Sequence, residues 1–154
     1  MGLNQTISSA LAPVTKEIVQ HKVKQKDFEN KTEALKLEND FITITNPPKE
    51  IAKSLKTSCY DCHSYETKYP WYTNISPLAW WIKDHINEGR DELNFSEWAT
   101  YKEKRRNHKI EECIELVDED EMPLSSYLLT HSEAKLTSDN KMLLLNWFKA
   151  QKTK

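Results

Sequence analysis

Beyond residue 46, apolar positions recur mostly with helical spacing. Pro47 and Pro48 suit a helix start, after which Ile51, Ala52 and Leu55 share one face. They predict a short helix running into Cys59. Tyr69-Pro70-Trp71-Tyr72 and Ser76-Pro77 interrupt the pattern, and Leu78, Trp81, Ile82, His85 and Ile86 then line one side of a second helix that Gly89 would stop. A third helix is expected from Ser96, as N-cap, to about Val117, carrying Trp98, Tyr101, Cys113 and Ile114. Met122-Pro123 reads as a loop, and Tyr127 to Leu129 as a short apolar turn. Thr137 or Ser138 caps a last helix bearing Met142, Leu143, Leu145, Trp147 and Phe148. Residues 1–45 are polar and lysine-rich, with weak helical spacing at Ile18, Val23 and Phe28 and a β-favouring stretch at Phe41, Ile42 and Ile44. The division expected is a polar N-terminal extension over 1–46, the remnant of a linker to a removed signal or anchor, and a folded domain over 47–150.

Composition sharpens this to an all-α domain. Only 2 glycines occur, too few for the tight turns of a sandwich or barrel. At 38% hydrophobic and 30% charged residues, a chain of 154 is short of apolar mass, which a buried cofactor would supply. The formal charge of −2 comes from 22 basic and 24 acidic residues mixed along the chain, without the basic stripe that nucleic acid requires. The run from Lys102 to Lys109 and the acidic positions Glu111 to Glu121 read as solvated helix faces or as a docking patch for a redox partner. No stretch reaches the apolar length of a membrane span, and Met1 to Ala12 lacks the build of a secretory signal. Membrane attachment would need a removed or missing N-terminal anchor. Met1-Gly2-Leu3-Asn4-Gln5-Thr6 fits a myristoylation pattern, and Asn4, Asn30, Asn74 and Asn94 begin Asn-x-Ser/Thr triplets. All of these patterns are short.

The chemistry lies in Cys59-Tyr60-Asp61-Cys62-His63, a Cys-x-x-Cys-His sequence. Residues three apart on a helical turn fall on nearly the same face, so both thiols can add to the vinyl groups of one porphyrin edge. The adjacent imidazole is carried beneath the iron as proximal ligand. Competing readings are a redox-active cysteine pair, which belongs in a βαβ setting that is missing here, and a zinc-binding interaction module drawing on Cys113 or His108. A six-coordinate haem needs a distal ligand. Met122 sits among acidic residues and Pro123, a poor core environment, and its soft thioether suits low-spin iron. His85 is the main alternative, ahead of His108 and His131. Trp71, Tyr72, Trp80 and Trp81 read either as walls of a haem crevice or as ordinary core. Arg90, beside Gly89, reads either as partner of a haem propionate or as one half of an ion pair with Glu88 or Asp91.

The order of short helix, Cys-x-x-Cys-His, Met-Pro loop and capped C-terminal helix resembles class I cytochrome c. More closely, Cys59-Tyr-Asp-Cys-His63-Ser, Tyr69-Pro-Trp-Tyr, Trp80-Trp81, Asn87-Glu-Gly-Arg90, Asn94-Phe-Ser-Glu-Trp98 and Met122-Pro-x-Ser-x-Tyr127 resemble a haem-binding domain family of Bacteroidetes-type bacteria, from about Ile51 to Phe148. That resemblance implies haem binding and an extracytoplasmic, periplasmic-type address without naming a reaction. The expectation is a small cytochrome c-like helical domain around one covalent haem c, with His63 and Met122 on the iron, passing electrons to a protein partner rather than acting as an enzyme. With an open sixth position the same scaffold would be a peroxidase-like enzyme or a gas sensor.

Overall fold

A computed structural model describes residue 31 and residues 33–152, and every described element is helical. The spacing at Ile18, Val23 and Phe28, the Met1 to Thr6 pattern and the triplets at Asn4 and Asn30 lie outside the described residues. No described helix is long and apolar enough to cross a membrane.

The packed unit begins at Glu38, upstream of the boundary expected at 47. Its first element, α1 (Phe41–Thr45), is the stretch that looked β-favouring. Two local facts override that propensity. Asp40 caps the helix, its Oδ1 accepting from the N–H groups of Ile42 at 3.0 Å and Thr43 at 3.2 Å. Phe41 is fully buried, its ring 5.0 Å from Phe95, 4.6 Å from Trp98 and 5.6 Å from Trp147. Asp40 also accepts a hydrogen bond from the Tyr60 hydroxyl at 3.1 Å, which ties α1 to the cysteine turn.

Helix α2 (Lys49–Ser58) starts after Pro48, as the sequence indicates, and buries Ile51 and Leu55. A single residue out of helical register, Cys59, separates it from the one-turn α3 (Tyr60–His63). Residues Trp71–Asn74 form a 3₁₀ turn before α4 (Leu78–Glu92). Gly89 does not stop α4, which runs one turn further to a cap at Leu93. The expected third helix is in fact two elements, a 3₁₀ segment over Phe95–Thr100 and α5 (Glu103–Asp118). The cap of the first is Asn94, not Ser96: Asn94 Oδ1 accepts from the Ser96 N–H at 3.1 Å, and the Tyr101 hydroxyl accepts from the Asn94 N–H at 2.9 Å. Extended backbone at Tyr101 and Lys102 then separates the two.

After the Met122-Pro123 loop come α6 (Ser125–Leu128), a 3₁₀ turn (Ser132–Ala134) and α7 (Ser138–Gln151). Thr137 caps α7 by accepting from the Asn140 N–H at 3.2 Å. The core joins Phe41, Leu55, Tyr60, Phe95, Trp98, Ile110, Leu144 and Phe148, with α7 packed on α5 and α2. Helix α4 buries only Ile86, which stands outside that core cluster and borders a cavity. The rest of its apolar face borders cavities.

Candidate haem site

The Cys59–His63 turn is closed by the Cys59 carbonyl, which accepts from the N–H groups of Cys62 at 3.2 Å and His63 at 3.0 Å. Both thiols are half-buried and unbridged. Burial, and secondarily the neighbouring Cys62, pushes the Cys59 thiol up to about 12. Burial also raises Cys62, reinforced by Asp61 and opposed by Arg90. A dithiol redox centre needs the reverse, a thiol lowered toward neutrality. These are protonated thiols held at one end of a core.

His63 Nδ1 lies 2.9 Å from the Gly89 carbonyl oxygen and 3.1 Å from that of Leu93, so Nδ1–H is the donor and Nε2 carries the free lone pair. Burial, the largest influence, lowers the imidazole's affinity for a proton. A neutral ring with one nitrogen fixed by backbone oxygens and the other free is what a haem iron requires of its proximal ligand. The acceptors reach His63 because Gly89 lets α4 approach the turn. A Cβ at position 89 would lie 3.1 Å from the Cys62 carbonyl oxygen and 3.4 Å from its Cβ. Gly89 is therefore required for close packing rather than for ending the helix.

Asp61, inside the motif, is tied on both sides. Its Oδ2 accepts from the Tyr127 hydroxyl at 2.8 Å and its Oδ1 from the Lys68 N–H at 3.1 Å. Tyr127 lies on α6, so this bond links the cysteine turn to the segment following Met122.

Two cavities flank the turn. One of about 780 Å³ is lined by His63, His85, Leu93, Lys109, Cys113, Met122 and Leu124, among others. The other, of about 470 Å³, is bordered by Cys62, Trp71, Tyr72, Trp81, His85, Ile86 and Leu124. His63 and the half-buried Met122 thus face the same space. His85 borders both cavities, its Nδ1 3.0 Å from the Trp81 carbonyl oxygen and its ring 4.3 Å from that of Trp81. His108 lines neither and pairs with Glu112 at 3.2 Å.

The remaining expected residues divide. Trp71 and Tyr72 line the smaller cavity, but Trp80 is 69% exposed and borders neither; Trp81 takes the inward place. The helical phase of Leu78, Trp81, Ile82 and His85 could have made that choice. Arg90 is engaged within the chain: Nε donates to the Ser64 carbonyl at 2.8 Å and Nη2 to Thr67 Oγ1 at 2.7 Å, clamping the loop after His63. His131, a lesser candidate for the distal ligand, has another place. Its Nε2 lies 2.6 Å from the Tyr72 hydroxyl and its ring stacks 4.2 Å from Tyr127, so it holds the wall of the smaller cavity. Among the described residues no group of three or more His, Cys, Asp or Glu side chains converges as a metal donor set, so the zinc alternative lacks further ligands there.

Two free thiols three residues apart, an adjacent histidine with its second nitrogen free, and a bordering cavity containing a thioether are a donor set that fits a haem. The sequence matches the haem-binding domain family over residues 14–150. The chain belongs to that family. It is a haem-binding domain, and the match reaches upstream of Ile51, the start of the motifs that carry the resemblance. That extension agrees with the place of Asp40 and Phe41 in the packed unit. No curated protein and no solved structure matches the chain. Family membership carries haem binding and is silent on catalysis.

Proposed function

We propose that this haem-binding domain is a c-type cytochrome, holding one haem c covalently through Cys59 and Cys62 and transferring electrons with His63 and Met122 as axial ligands. The observation that carries the reading is the state of His63. Its Nδ1–H is spent on the Gly89 and Leu93 carbonyls, and its free nitrogen belongs to a residue that borders the same cavity as Met122. A bound haem supplies a one-electron ferric–ferrous couple.

The chain's own residues account for the rest. Cys59 and Cys62 offer thiols from one turn, and the backbone acceptors on α4 orient the imidazole and raise its basicity as a ligand. Met122 offers a soft sulfur, which favours the ferrous state relative to a second imidazole. Leu93, Leu116 and Leu124 supply apolar wall to the cavity. Because attachment of haem c takes place outside the cytoplasm, the reading includes an extracytoplasmic address and a protein redox partner.

Denaturing electrophoresis followed by haem staining tests attachment. Protein matured in an oxidising compartment should keep its haem on the gel, and the Cys59→Ala, Cys62→Ala double variant should lose it. Haem that dissociates from the wild type on denaturation would contradict covalent attachment.

A further inference from the structure

Among the described residues Lys109 is the only buried lysine or arginine. Its side chain is 10% exposed, on α5, in the wall of the cavity that also holds His63 and Met122. That wall carries Glu88, Glu92, Glu112, Glu115, Glu119 and Glu121, against which Lys109 is the single lysine or arginine among the described residues. Its ammonium lies 2.7 Å from Glu112 and 3.3 Å from Glu92. Desolvation works against its charge, but the hydrogen bonds to Glu112 and Glu92 more than offset that and keep it protonated. The carboxylates are the wetter members, Glu92 being 79% exposed and Glu112 36%. Water screens them more than it screens the ammonium.

We infer that Lys109 is a potential-setting residue of this haem domain: a fixed cation in the wall of the His63 and Met122 cavity that favours the ferrous over the ferric state. The inference rests on the haem reading above. Oxidation adds one positive charge to the site, and a desolvated cation opposes that addition more strongly than exposed carboxylates promote it. Burying a lysine is costly unless it is paired. A cation used only to join α4 to α5 would serve as well on the wet rim.

The test is a spectroelectrochemical titration of the haem-loaded full chain against a mediator of fixed potential, with thermal denaturation run alongside. Lys109→Gln should shift the ferrous-to-ferric ratio at least tenfold toward ferric, which is about 59 mV for a one-electron couple. Lys109→Arg, which keeps the charge, should stay within twofold of wild type, and Glu112→Gln should move the ratio the other way. A Lys109→Gln ratio within twofold of wild type, whatever happens to its melting, would overturn the inference and leave the lysine a structural clamp. So would an Arg variant that shifts as far as Gln. Should Lys109→Gln not fold, Glu112→Gln and the exposed Glu92→Gln decide, and an unchanged ratio in both overturns it. A wild type that gives no haem spectrum would refute the haem reading itself, and with it this inference.

Discussion

A proximal imidazole must be held by one nitrogen and free at the other, and here the holding groups come from a helix 26 to 30 residues downstream. The Cys-x-x-Cys-His motif was legible in the sequence because its chemistry is local. Its supports were not, because Gly89 looks like a helix stop until α4 is seen against Cys62. Substituting Gly89→Val places side-chain atoms where a Cβ alone already approaches backbone at 3.1 Å. Overpacking of this kind costs about 1–3 kcal/mol. Thermal denaturation should register that loss, and haem content should fall with it as the Gly89 acceptor is pushed from His63. A variant with wild-type melting and haem content would show that the close approach is dispensable. Trp80 and Arg90 illustrate a second limit. Residue type named Trp80 as a haem-wall aromatic and Arg90 as a propionate partner or an ion-pair partner of Glu88 or Asp91; helical phase turns Trp80 outward, and Arg90 gives two of its donors to Ser64 and Thr67, contacts 26 and 23 residues away that no local pattern shows.

At the scale of elements, helices with both a periodic face and a cap were readable, as at Pro48 and Thr137. Misreadings arose where one side chain overrode the local pattern. Phe41-Ile42-Thr43-Ile44 has strand-forming composition, but the Asp40 cap and the burial of Phe41 make it a helix. Burial raises the Asp40 carboxyl above its ordinary value, despite the Thr43, Tyr60 and Ile42 hydrogen bonds that lower it. The folded state therefore holds this proton at pH values where the unfolded chain has released it. Stability contributed by Asp40 is greatest below the ordinary carboxylate range and is lost as pH rises through the folded value. Asp40→Asn keeps an oxygen for the cap and removes the ionisation. Its melting temperature should therefore fall less than that of wild type between about pH 4 and pH 7, the window starting from the ordinary aspartate value. An identical pH dependence in the two proteins would contradict the assignment. The bond between α6 and the motif is tested by Tyr127→Phe, which removes a hydroxyl from Asp61. A hydrogen bond to a charged acceptor contributes about 1.5–3 kcal/mol, so chemical denaturation should show a loss near the lower end for this half-buried pair. No loss would mean that the Tyr127 to Asp61 bond does not brace the Met122 segment.

For the unit from Glu38 onward, the low apolar content seen in the sequence has a structural counterpart. One side of the cysteine turn is a dense aromatic core. The other opens into two cavities, where Trp71 is 77% and Trp81 47% exposed and only Ile86 of α4 is buried. The sequence made the shortfall visible, but it did not reveal that α4 would stand between the cavities with His85 on both. Protein made without haem maturation should therefore unfold at lower temperature and over a broader range than the haem-loaded form, because the cavity walls lack a partner to pack on. Equal, cooperative melting of the two forms would contradict this. The central claim, a covalent haem closed by sulfur, is tested most directly by the visible spectrum of the matured protein, oxidised and reduced, with and without carbon monoxide. The account predicts a low-spin spectrum in both states, a weak sulfur-to-iron charge-transfer band in the ferric form that Met122→Ala removes, and rapid carbon monoxide binding by the ferrous Met122→Ala variant but not by wild type. Ready carbon monoxide binding by wild type, or a charge-transfer band unaffected by Met122→Ala, would contradict it.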